Sequence, residues 1–438
     1  MSGLLIALGY TALLLLVIRR SRFHRPAGIP AWWIGGAFLL KVMAGTALWA
    51  LYTYVYTDRA TADIYKYFDD SAVMFGALEH APGDYLRMLL GIGNDSPHFD
   101  EQYYRVMNNW YRKYESNMYN DAHTVIRFNA LLRLISFGSI HVHTVFAAFL
   151  SFTGSLGLVR AVTALRPELA RAAFVVTLLL PSVLFWSSGV IKESLLMAAL
   201  GLLVWVVLGT LAGRLRKVMV LWALPLVALL FFLKFYVLLS MVPGLVAYAL
   251  CHRRPRAALA IFLGVHLLFL VAAANSERLI PGFDMLSTLM WKQRDFIGLA
   301  RTMNSGSFIA PTPLEPTFTS FVQQAPNALF TTFLGPLQTW RNGAMGLAGA
   351  AENVVILLLL GWLLPGVRSG SGDGRAFVLY ALSFCLLLGL VIGWTTPVMG
   401  AVVRYRVPLL PFLFYAALMA TDTGRLFRRC PWLRPLPA

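Results

Sequence analysis

The sequence predicts an all-α, polytopic integral membrane protein, and three observations carry that prediction. Apolar residues make up 58% of the 438-residue chain and charged ones only 13%. Apolar runs of about 17 to 25 residues recur along its whole length, enough to cross ~30 Å of hydrocarbon as helices. Basic residues crowd into every second connection between those runs. A water-soluble fold would expose several two-sided apolar helices to solvent, so that class is excluded.

The predicted spans are 2–18, 31–56, 139–159, 172–188, 190–212, 218–233, 235–250, 257–274, 346–365, 376–394 and 408–421. The first reads as a retained helix: no small-residue cleavage site follows it, and R-R-S-R-F-H-R (19–25) does. Alternate connections then carry Arg160, Arg166 and Arg171; Arg214, Arg216 and Lys217; Arg253, Arg254 and Arg256; and Arg368 and Arg375. The tail adds Arg425, Arg428, Arg429 and Arg434. Short basic loops stay cytoplasmic, which gives eleven spans with the N-terminus outside and the C-terminus inside. The expected setting is a bacterial plasma (inner) membrane with the active site on its extracytoplasmic side. The net charge of +17 is then mostly this topological signature, not a nucleic-acid surface. Cys251 and Cys430 fall inside and Cys385 within a span, so the outer loops offer no disulfide or thiolate metal site.

Residues 1–438 read as one membrane domain, with a large outer loop at 57–133, a second outer segment at 275–345 and a short one at 395–407. The large loop holds eleven of the twenty acidic residues against eight bases, and is net negative in a basic chain. Its start, D-I-Y-K-Y-F-D-D (63–70), runs on to Glu79 as a helix. Asp63, Tyr67 and Asp70 stand at i, i+4 and i+7 and share one face, while Asp69 points about 100° away from Asp70. Such carboxylates can activate a hydroxyl or hold a divalent ion, or simply pair with Lys66 in solvent. The aromatic, amide-rich run at 103–121, with Arg112, Lys113 and Glu115, reads first as a helix along the outer leaflet and second as a sugar-binding surface. The run 123–134 is amphipathic, with Arg127 and Arg133 turned to headgroups or a phosphate.

The stretch P-S-V-L-F-W-S-S-G-V-I-K-E-S (181–194) places Lys192 and Glu193 where two spans meet at the outer surface. Neighbours on a helix diverge, so each needs its own partner. Lys234, in F-F-L-K-F-Y, marks the next outer turn, and G-A-V-V-R-Y-R-V-P (400–408) brings Arg404 and Arg406 just outside the last span. Glu352 opens span nine. Singly, each cation can snorkel to the interface. Together, four cations at headgroup depth suit a lipid-linked phosphate.

In this plan the chain resembles the GT-C superfamily of polytopic glycosyltransferases, which use polyprenyl-phosphate-linked sugars. The likeness covers most of the chain from about residue 31. It lies in the acidic outer loop after an early span, the 181–194 turn and the late R-Y-R-V-P. The resemblance implies that Asp63, Asp69 or Asp70 is the base, and that Lys192, Lys234, Arg404 and Arg406 hold the lipid phosphate. Glu193 and Tyr67 join them on the substrate side. Asp69 and Asp70 would be ligands if a divalent cation such as Mg or Mn takes part. The chain departs from the family in its extra first span, in having no strict D-x-D, and in having no outer C-terminal domain for acceptor recognition.

The expected function is transfer of a sugar from the lipid-linked donor to a glycan, lipid or protein acceptor, with the bilayer as the other partner and no nucleic acid. The nearest alternative is a polysaccharide polymerase or ligase acting on lipid-linked glycans, favoured if Arg404 and Arg406 act while the acids at 63–70 are dispensable. A transporter or flippase would line a midplane path, for which Lys41 and His266 are the main polar residues. A noncatalytic assembly subunit is the third. One substrate linkage needs Asp63 or Asp70 within about 20 Å of Arg404 and Lys192.

Overall fold

The fold is that of a computed structural model in which residues 2–111, 119–363 and 373–435 are described. Arg112, Lys113, Glu115 and Arg368 therefore lie outside the described residues, as does the middle of the 103–121 stretch. The chain is helical, and no strand occurs among the described residues beyond one isolated bridge between Phe308 and Val398.

The apolar runs form α1 (Ser2–Arg20), α2 (Ala31–Ala50), α7 (Ile140–Leu165), α10 (Lys192–Leu211), α11 (Ala223–Arg253), α12 (Ala258–Ala274), α16 (Gly343–Leu363) and α17 (Asp373–Thr395). The first outer loop builds α3 (Asp63–His80), α4 (Pro82–Leu90), α5 (Pro97–Gln102) and α6 (Ala122–Ser136). Short helices α8 (Ala170–Leu178) and α9 (Pro181–Trp186) precede α10, and α13 (Ser276–Leu279), α14 (Met285–Thr302) and α15 (Phe318–Phe333) fill the second outer segment. The chain ends in α18 (Met399–Tyr405), α19 (Leu410–Ala420) and α20 (Thr423–Arg429).

Among the described residues, eight helices are long and apolar enough to cross a membrane, or nine if the pair α18–α19, bent by 54°, makes one span. This is the build of a multi-pass membrane protein. Leu259, Leu263, Leu267, Leu268 and Val271 of α12 face outward, an apolar surface that suits lipid and not water. The span list differs from the sequence reading in three places. Segment 172–188 is the two short helices α8 and α9, parted at Pro181. Segments 218–233 and 235–250 are two helices that meet at Lys234, where φ −152° and ψ 83° leave the helical region; α11 covers both, and a 3-10 turn at Lys217–Trp222 leads into it. The last span is entered through the α18–α19 bend.

Three of the basic segments predicted to be cytoplasmic, those after α1 and α7 and the tail, meet at one end of the bundle. Arg160 donates to the carbonyls of Arg22 and Phe23, Arg166 to Met419, and Arg171 to Trp432. The 57–133 loop caps the other end. There α3 packs on α6, and Arg133 ties them through the Phe68 carbonyl and the Ser71 hydroxyl. An apolar cluster including Tyr67, Met74, Tyr85 and Ile126 seats this cap on Leu195 of α10 and Leu233 of α11. Below it, α7 and α10 touch backbone to backbone: a Cβ on Gly201 would lie 1.9 Å from the Gly154 carbonyl oxygen. That close approach fixes α10, whose first residues belong to the site.

Candidate functional site

At the cap end the residues of five segments meet in one ionic network. Asp63 opens α3 after the extended residue Ala62, and its Oδ2 accepts a 2.6 Å bond from Nη1 of Arg404 in the last turn of α18. The other arm of the guanidinium, Nη2, donates to Oε2 of Glu193 at 2.8 Å. Glu193 lies in the first turn of α10, where the exposed N–H groups favour a negative charge. Its Oε1 takes a 2.8 Å bond from Nζ of Lys234, which reaches it because α11 leaves helical geometry at that residue. Lys192 turns the other way, as a helical neighbour must, and donates to Oδ1 of Asp121 at 2.8 Å. Three carboxylates thus stand among three cations.

Aromatic rings wall the network. The Lys234 ammonium lies 4.0 Å from the centroid of Tyr405, Lys192 5.4 Å from Tyr67, and the Arg404 guanidinium 5.8 Å from Trp186. Glu193 is wholly buried, whereas the Asp63 side chain is 31% exposed. Of the two acids that Arg404 holds, Asp63 is the accessible one. Burial pushes its pKa up, but Arg404, Lys192 and Lys66 together pull it below the ordinary carboxylate value. Burial raises the Tyr67 phenol well above its usual range, so it stays a neutral donor. Nε of Arg404 is buried and has no hydrogen-bond partner among the described residues, a spare donor on a group already holding two acids.

The other predicted residues lie elsewhere. Asp70, two turns along α3, accepts backbone N–H bonds from Asn108 (2.8 Å) and Asn109 (2.9 Å) and so fastens the 103–111 segment. Asp69 forms a bidentate pair with Arg59 at the surface. The two neighbours face different partners and do not converge as a ligand pair. Among the described residues no group of three His, Cys, Asp or Glu side chains stands close enough to hold a metal ion. Lys66 forms no ion pair with Asp63 or Asp70 among the described residues. Arg406 points away from Arg404 to a second cluster, where Nη1 bonds Asn353 and Nη2 lies 3.9 Å from Glu352. Arg404 and Arg406 thus hold different partners.

Sequence reasoning missed Asp121, Trp186 and Tyr405. Asp121 precedes α6 without capping it by its side chain and takes Lys192 instead, a partner 71 residues away that no local pattern announces.

Beside the network, between α11, α12, α14, α15 and α17, lies an apolar cavity of about 120 Å³. Tyr236, Phe269, Phe318, Leu387 and Trp394 line it, with Lys292 as its cation. Tyr236 lies two residues past Lys234 and joins the cavity to the ionic network.

No protein-family model, no curated protein and no solved structure matches the chain.

Proposed function

We propose that this chain is a membrane glycosyltransferase that moves a sugar from a polyprenyl-phosphate-linked donor to an acceptor hydroxyl at the outer face of a bacterial plasma membrane. The observation that carries the reading is the forked contact of Arg404 with Asp63 and Glu193, next to Lys234 and Lys192. A lipid-linked phosphate needs cations at headgroup depth and an apolar berth nearby, and the Tyr236-lined cavity adjoins these cations.

In this reading Arg404, Lys234 and Lys192 take the phosphate of the donor. As Arg404 turns part of its charge to the phosphate, Asp63 loses a counter-charge and its affinity for a proton rises. The acceptor oxygen forms its bond to the anomeric carbon while the bond from that carbon to the phosphate oxygen breaks. The hydroxyl proton passes to Asp63, and the cations neutralise the charge that grows on the leaving phosphate. Glu193, wholly buried between Lys234 and Arg404, holds both cations in register. A carboxylate already bound to arginine is a weak base without substrate, which guards the donor against idle hydrolysis.

The test is sugar transfer from a polyprenyl-phosphate donor by the protein in lipid bilayers. Asp63→Asn and Arg404→Lys are expected to lower the rate by about 10²-fold or more. Asp70→Asn, outside the network, should keep the wild-type rate. Full transfer by Asp63→Asn sinks the assignment.

A further inference from the structure

Behind the ionic network lies a second buried polar cluster that the proposed chemistry does not use. Arg406 is 1% exposed, Asn353 0% and Glu352 8%, in surroundings where apolar side chains would fill the same space at less cost. Its connections are directional. Glu352, on α16, accepts at Oε1 a 2.7 Å bond from the backbone N–H of Ser182. Pro181 opens α9, so this N–H is one that the helix itself leaves unpaired. Asn353 fixes Arg406 on one side and donates to the Phe333 carbonyl at 3.0 Å on the other.

Followed round, these contacts close a circuit. From Ser182 about one turn of α9 leads to Trp186, whose ring lies 5.8 Å from the Arg404 guanidinium. From Arg404 the chain runs two residues to Arg406, at the 54° bend between α18 and α19, and so back to Glu352. The two elements that present Trp186 and Arg404 to the network are therefore met from behind by neighbouring residues of α16: Glu352, bonded to Ser182 and 3.9 Å from Arg406, and Asn353, bonded to Arg406.

We infer that Glu352, Asn353 and Arg406 form a positioning node that sets the α18–α19 bend against α9 and thereby aims the Arg404 fork at Asp63 and Glu193. An ionic node does this where an apolar contact would not. A carboxylate bonded to one N–H and facing one guanidinium admits a single register, whereas apolar side chains tolerate sliding. None of the three residues touches substrate; they act through Arg404. The node itself is read from geometry, and only its kinetic consequence rests on the glycosyltransferase reading.

The experiment uses the full chain in bilayers, with Glu352→Gln, Arg406→Lys and the apolar pair Glu352→Leu/Arg406→Met. Glu352→Gln keeps an oxygen for the Ser182 N–H, and the apolar pair removes both charges together, so folding is kept in at least one of these backgrounds. Thermal melting is measured for each, alone and combined with Asp63→Asn. If the node aims Arg404, Asp63→Asn lowers the melting temperature less in the node variants than in wild type, because the Arg404–Asp63 contact is already loosened. Equal losses in all backgrounds overturn the inference. In the transfer assay kcat should fall roughly 10- to 100-fold in the node variants, while Arg406→Lys recovers part of the rate. Unchanged kcat with unequal melting losses would also overturn it. Coupled melting in a protein that transfers no sugar would leave the node standing and remove the proposed function instead.

Discussion

Asp63 and Asp70 stand on one helix face in the sequence and end in different places. Two turns of helix separate them by roughly 10 Å, enough for Asp63 to meet Arg404 while Asp70 is taken by the backbone of Asn108 and Asn109. Periodicity gives the face of a carboxylate and not what folds over that face. The partner of Asp63 lies 341 residues away, beyond any local signal. The contact has a pH signature. Asp63 has a pKa lowered from 3.8, so its pairing with Arg404 stabilises the fold fully above that value. The contribution is lost as pH falls through the lower, folded-state value. The gap in melting temperature between wild type and Asp63→Asn should therefore hold steady from about pH 7 to pH 5 and close only below about pH 4. Melting curves across that range check it, and a gap that closes near pH 6 would show that Asp63 is not held this way.

Among the elements, α11 shows what the sequence conveyed and what it did not. Lys234 inside an apolar run correctly marked an interruption, but a polar break looks the same whether the chain reverses or bends. In the structure two helices meet at Lys234, whose ammonium reaches Glu193 and the ring of Tyr405. Segment 172–188 has the composition of one span, yet Pro181 starts a separate short helix whose first N–H is taken by Glu352 from another element. The closest helix contact, Gly154 against Gly201, was invisible because a glycine's role is set by its partner. The break at Lys234 carries a prediction of its own. Lys234→Met leaves the wholly buried Glu193 with only Arg404, and losing one partner of a buried ion pair costs about 3–5 kcal/mol. Lys234→Met/Glu193→Gln removes the stranded charge and should melt higher than Lys234→Met alone. If the double variant is the less stable, Glu193 and Lys234 are not coupled through this contact.

Across the whole molecule the charge pattern was the most legible feature, because it is written in every connection and does not depend on packing. The structure gathers Arg160, Arg166 and Arg171 with the 22–28 and 419–432 segments at one end, and the acidic loop with the ionic network at the other. The number of crossings was less legible, since the breaks at Lys234 and between α18 and α19 depend on packing that composition does not carry. The ends therefore make a safer topological test than the spans. Lys- and Arg-rich ends stay cytoplasmic as a rule, and by that rule Asp63, Glu193 and Arg404 are expected on the outer side, where the proposed transfer needs them. Cys251 and Cys385 are buried, so a Cys430→Ser chain offers a quiet background for labelling. Cysteines placed at the exposed positions Asp95 and Arg216 probe the two ends. In intact cells a membrane-impermeant maleimide should label Asp95→Cys and spare Arg216→Cys until the membrane is opened. The reverse pattern would place the network in the cytoplasm, and with it the proposed transfer at the outer face would fall.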